Sequence, residues 1–161
     1  FARTPLDIES LLCEQDAILV GGGNTRSMLS VWKDWGVDLA LRKAYDQGVV
    51  LGGWSAGSIC WFEQGVTDSI AGPLTMLPCL GFLEGSNCPH YDSEKDRRPT
   101  YEKLISKGHI QPGLAADDGV GLHFVNEELV EAVSQAPKAK GWRVKPRGKT
   151  STSAALKTRV L

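Results

Sequence analysis

The run Gly53-Trp54-Ser55-Ala56-Gly57 constrains the fold of this chain more than any other stretch. It follows an apolar strand expected over residues 49–52 and opens a segment, residues 55–63, that reads as a helix. A serine with glycines two positions to either side, at a strand-to-helix turn, has the pattern of a nucleophile elbow. The turn is too tight for side chains at the glycine positions. It holds the serine in a sparsely populated backbone conformation with its hydroxyl exposed. The helix beneath it points free N–H groups and the positive dipole end at that hydroxyl. The plainer reading of the same string is a βα turn whose serine caps a helix.

Upstream, residues 16–20 read as a buried strand that runs into Gly21-Gly22-Gly23-Asn24-Thr25. Met28, Leu29 and Trp32 recur at helical spacing over residues 26–35, and Gly36 fits the stop. Residues 38–47 repeat the pattern with Leu39, Leu41 and Ala44. Strand, helical crossover and strand make a βαβ unit, so the expected fold is α/β, a mostly parallel sheet flanked by helices. The ends of two parallel neighbours share one sheet edge, which brings the glycine loop and Ser55 to one crevice. Three bare glycines expose backbone N–H groups there. Gly23 and Ala56 are the expected oxyanion donors, and Gly22, Asn24 and Thr25 are expected to line the substrate site. A dinucleotide fingerprint does not fit, because Arg26 stands where its third glycine belongs, and a Walker loop lacks its Gly-Lys-Ser/Thr.

A serine needs a base. Of the three histidines, His123 lies in a strand-like alternation and reads as packed, and His109 follows Gly108 at a helix end. His90, in Asn87-Cys88-Pro89-His90-Tyr91-Asp92, is flanked by polar residues and is the expected base. Its orienting acid is expected to be Asp68, with Asp92, Asp117 and Asp118 as competitors. His90, Asp92 and Glu94 alternate as metal ligands can, but no second cluster supports a metal, and no cofactor is expected. Cys60 and Cys88 read as buried thiols.

The remaining segments are weaker. Residues 64–85 look irregular, and 99–107 read as a helix with Pro99 in its first turn. Residues 113–117 and 120–125 read as a strand pair around Asp118-Gly119, and 126–135 are mixed. Residues 141–144 and 154–160 read as late strands, with 138–149 a solvated hairpin or loop. At 161 residues the chain is expected to form one domain, 1–161. A net charge of −1 with interspersed signs gives no sign of a nucleic-acid or membrane partner. No apolar run reaches the length of a membrane span and no signal peptide is visible. Four cysteines without paired spacing fit a reducing, cytoplasmic setting. The chain opens on Phe1 rather than Met, as a portion of a longer product would.

Taken jointly, Gly21-Gly22-Gly23-Asn24-Thr25, Gly53-Trp54-Ser55-Ala56-Gly57 and Pro89-His90 resemble the aspartyl dipeptidase (dipeptidase E) family of serine peptidases, to which cyanophycinase is related. The resemblance implies a class I glutamine amidotransferase-like fold, with Ser55 as nucleophile, His90 as base, and Gly23 and Ala56 as oxyanion donors. It points to Asp68 as the acid and to Arg97 as receptor for the side chain of an N-terminal aspartate. The implied activity is hydrolysis of short peptides, dipeptides with N-terminal Asp; a cyanophycinase-like action on β-Asp-Arg peptides and a non-catalytic binding domain are the rivals. Members of the family carry further βα elements ahead of the glycine loop, so association with such a segment, or a homodimer, is expected.

Overall fold

The computed structural model describes residues 7–161. Asp7 caps α1 (Ile8–Cys13), accepting from the Ser10 N–H at 2.9 Å, and the apolar run that follows forms β1 (Ala17–Val20). Asn24 caps α2 (Thr25–Trp35) by accepting from the Ser27 N–H at 2.9 Å. Gly36, at φ 69°, takes the left-handed conformation that ends α2, and α3 (Val37–Asp46) starts at the next residue. β2 (Val50–Gly53) runs parallel to β1 with Gly53 opposite Val20. The crossover is therefore the helical one that the periodicity predicts.

Gly53 and Gly57, on either side of Ser55, are there for space. A Cβ on Gly57 would lie 2.1 Å from the Val20 carbonyl oxygen, and one on Gly53 2.4 Å from the same atom. Backbone cannot yield as a flexible side chain can. Gly57→Ala is therefore expected to cost about 3 kcal/mol and lower the thermal midpoint by roughly 10 °C, measured by circular dichroism.

The helix behind the elbow is shorter than the sequence predicts. α4 (Ala56–Ile59) is one turn, and the chain then enters β3 (Phe62–Thr67) instead of continuing as helix to Glu63. Aromatic packing decides this: Trp61 stacks at 5.6 Å on Phe82 and Phe62 at 5.8 Å on Phe124. Ile59 then fits over Gly65, where a Cβ would come within 2.1 Å of it. Residues 64–85 are likewise more regular than expected, holding β4 (Thr75–Pro78) antiparallel to β3 and the start of β5 (Leu83–Cys88), which runs parallel to β3. Gly85, Ser86 and Asn87 have little strand propensity. β5 is extended because tertiary partners hold its buried polar side chains, Ser86 Oγ bonding to the Tyr101 hydroxyl at 2.7 Å.

α5 (Arg97–Ser106) is followed by β6 (Gly113–Ala116), β7 (Val120–Val125), β8 (Glu128–Ser134), β9 (Gly141–Arg147), β10 (Thr150–Ala155) and β11 (Thr158–Val160). The six-stranded sheet has the order β10-β9-β6-β5-β3-β4, and a three-stranded sheet the order β11-β8-β7. β6 and β7 are thus strands, as predicted, but they do not pair: β6 lies between β5 and β9, while β7 pairs with β8. Asp117 accounts for the difference, because its carboxylate holds the turn against β9. Asn126 and Glu127, at φ 49° and 69°, form the tight turn between β7 and β8.

Leu114 and Ala115 of β6 enter opposite cores, as strand alternation requires. One core, with Val66, Cys88, Tyr101 and Ile105, lies under α5; the other gathers Val20, Leu41, Trp61 and Phe82. The architecture is α/β, with sheets flanked by helices. Leu19 and Val50 remain 72% and 64% exposed on one face of the β1–β2 pair. Among the described residues no helix is long and apolar enough to cross a membrane.

Candidate active site

Ser55 sits at φ 56° and ψ −116°, at the N-cap position of α4, and its side chain makes no capping bond. The plain helix-cap reading therefore does not describe it. Four non-glycine residues among those described have positive φ: Ser55, His90, Asn126 and Glu127. The last two belong to the hairpin turn. The first two are the nucleophile and base expected from sequence, and such a conformation costs about 1–3 kcal/mol wherever it is held.

The glycine loop lies directly on the turn that carries Ser55. A Cβ on Gly22 would be 3.4 Å from Ser55 Cβ and 3.6 Å from the Trp54 indole nitrogen, while Gly23 stands clear of other atoms. Among the described residues neither the Gly23 nor the Ala56 N–H donates to a backbone acceptor. Asn24 and Thr25 serve the loop's own fold. The Asn24 amide donates to the Ser69 carbonyl at 3.1 Å, and buried Thr25 meets Thr67 across 3.5 Å.

His90 follows the C-terminal end of β5, and its Nδ1 pairs with Asp118 Oδ1 at 2.7 Å. Asp118 follows the end of β6, the parallel neighbour of β5, so both groups rise from one sheet edge. The Asp118 N–H donates to Asp92 Oδ1 at 2.8 Å. A hydrogen bond from Ser93, and then the bond and charge of His90, hold the Asp118 carboxyl below the usual carboxylate range. The pair therefore persists above that range and is lost as pH falls through the lowered value. With Nδ1–H donating to an ionised Asp118, Nε2 carries the lone pair that can accept a proton.

The Ser55 turn and the His90–Asp118 pair are joined through a buried amide. Ser58 of α4 donates to Asn87 Oδ1 at 2.9 Å, and Asn87 Nδ2 donates to the Leu114 carbonyl of β6 at 3.3 Å. One residue thus ties the elbow helix to the strands that carry His90 and Asp118. Among the described residues no hydrogen bond joins Ser55 to His90 itself.

Among the described residues the expected acid, Asp68, makes no hydrogen bond or ion pair with His90, whose partner is Asp118. The Thr67 and Ser69 hydroxyls, 2.7 Å apart, close a local turn that leaves the Asp68 side chain 73% exposed, with Arg97 3.9 Å away. Arg97 is not placed to receive a substrate carboxylate. It is buried, donating from Nε to Glu94 at 2.6 Å and from Nη1 to the Val66 carbonyl at 2.8 Å. Arg98 lies over the Tyr91 and Trp142 rings and pairs with Glu102. His123 is exposed beside Glu131 rather than packed, and His109 is exposed after α5. The Cys60 and Cys88 thiols are buried; burial pushes Cys60 up and Cys88 up to about 12, so neither offers a thiolate at neutral pH. Asp118 was among the competing acids. Its signal was an Asp at the end of a strand, which becomes specific once that strand is placed beside β5.

The profile of Peptidase family S51 matches residues 1–132. "Uncharacterized peptidase YgaJ" of Bacillus subtilis (strain 168) is 59% identical over 138 residues, 86% of this chain. The chain spans 60% of the length of that relative. The crystal structure of a "Putative Peptidase E Protein" from Listeria monocytogenes EGD-e superposes with a TM-score of 0.50 at 20% identity, over 92% of this chain and 64% of the other. That likeness is one of fold, the glutamine amidotransferase-like one. Matched by the family profile over most of its length, with the strained serine and the strained, carboxylate-paired histidine described above, the chain belongs to peptidase family S51.

Proposed function

We propose that this chain carries the active centre of a serine peptidase that hydrolyses short peptides, dipeptides with N-terminal Asp in particular, through an acyl-enzyme. The observation that supports it best is the shared positive φ of Ser55 and His90, with His90 Nδ1 held by Asp118 at 2.7 Å. Strain of this kind gathers at functional sites. Ser55 Oγ attacks the peptide carbonyl while His90 Nε2 takes its proton, and Asp118 stabilises the imidazolium. The Gly23 and Ala56 N–H groups receive the oxyanion, each such donor lowering the barrier by about 3–4 kcal/mol. The C–N bond breaks as His90 returns the proton to the leaving amine. Water, deprotonated by His90, then attacks the ester and frees Ser55.

The aspartyl preference is supported by the sequence resemblance to dipeptidase E, with Arg97 engaged instead by Glu94 and the Val66 carbonyl. Incubation with Asp-Xaa dipeptides, neutral dipeptides and β-Asp-Arg tests it. Release of free Asp from Asp-Xaa is the expected result. Cleavage of β-Asp-Arg alone would favour the cyanophycinase-like reading, and cleavage of none a binding domain.

A further inference from the structure

Asp117 and Trp142 are not explained by the mechanism, yet both adjoin the residues that carry it. Asp117 is 8% exposed and has both carboxylate oxygens occupied. The Trp142 indole N–H donates to Oδ1 at 2.8 Å, and the Lys140 N–H to Oδ2 at 2.9 Å. Its own N–H donates to the Lys140 carbonyl at 3.0 Å. A buried carboxylate bonded in this way fixes the end of β6 against the start of β9, and the next residue is Asp118. The same indole ring packs on Tyr91 at 6.1 Å, and the Arg98 guanidinium lies 4.8 Å from the Trp142 ring and 5.1 Å from that of Tyr91. Tyr91 is 2% exposed, donates its N–H to the Ala116 carbonyl at 3.0 Å and its hydroxyl to Glu102 at 3.0 Å, and is the residue after His90.

We infer that Trp142 and Asp117 are positioning residues for the His90–Asp118 pair: one indole fixes the residue preceding the acid through its N–H and the residue following the base through its ring. A histidine held at positive φ keeps that conformation only while its surroundings over-determine it. An exposed Asp118 has no burial of its own to hold its rotamer. Asp118 is bonded directly by His90 and Ser93 and through its N–H by Asp92, and β9 contributes to both conditions through the adjacent residues Asp117 and Tyr91. The inference rests on reading His90 as the base, but its test does not depend on catalysis.

Trp142→Phe keeps an aromatic ring but removes the indole N–H along with part of the ring, and Asp117→Asn keeps the volume and changes only the bonding, so the two together separate the N–H from the packing. The proton on His90 Nδ1, shifted downfield by its carboxylate partner, is followed by NMR, and Ser55 reactivity by the rate of labelling with a fluorophosphonate. In Trp142→Phe, exchange of that proton with water is expected to quicken about tenfold and labelling to slow about tenfold, with an unchanged circular dichroism spectrum. A role in packing alone would move the thermal midpoint and leave the proton in place. Should Trp142→Phe not fold, Asp117→Asn decides in the same way. A folded variant with unaltered exchange and labelling would overturn the inference. If the wild-type chain is not labelled at all, the peptidase reading fails while the proton resonance still decides this one.

Discussion

Replacing Ser55 by alanine is expected to reduce hydrolysis roughly 10⁶-fold while leaving the thermal midpoint unchanged. The two halves of this expectation have separate causes. In the proposed mechanism the hydroxyl supplies the nucleophile of the first step, so its loss leaves what the oxyanion donors and substrate binding provide by themselves. That hydroxyl also caps nothing, so removing it takes no bond from α4. A serine that capped the helix would show the opposite: activity kept, and about 1 kcal/mol of stability lost. Measuring kcat and the unfolding midpoint on one preparation separates the two.

The second large effect distinguishes two aspartates. Asp118→Asn is expected to lower kcat/KM by roughly 10⁴-fold, because an amide can present its N–H to Nδ1 and hold the imidazole in the wrong tautomer. Asp68→Asn is expected to change it by less than about twofold, since an exposed carboxylate 3.9 Å from Arg97 contributes little. A large loss in Asp68→Asn with little change in Asp118→Asn would return the assignment of the acid to the position that sequence order suggested. The pH profile carries the same information. Asp118 is held below the ordinary carboxylate range, so the His90–Asp118 pair of the wild type stays intact through that range and is lost only at lower pH.

How much could be read beforehand follows from the range of the forces involved. The glycine loop, the elbow and the two crossover helices are local: a cap at Asn24, a stop at Gly36 and two glycines under one carbonyl write themselves into adjacent residues. β5 is not local. Leu83-Glu84-Gly85-Ser86-Asn87-Cys88 has no strand signature and is extended through bonds to residues as distant in sequence as Leu114. Without β5 in place, β6 has no neighbour, and Asp118 cannot be seen to share an edge with His90. Asp68, nearer in the chain, then looks the better acid. Arg97 misled for a related reason, because its partners Glu94 and Val66 meet only once α5 packs on β3. The overlong helix after Ser55 reflects a contest between helical continuation and burial of Trp61 and Phe62, which burial wins.

Labelling of the native chain with a fluorophosphonate, followed by mass mapping of the adduct, addresses the central assignment without any assumption about substrate. One adduct per chain on Ser55, absent from Ser55→Ala and slowed in Asp118→Asn, is the predicted result. An adduct elsewhere, or a Ser55 that reacts no faster in the native chain than in the unfolded one, would contradict it.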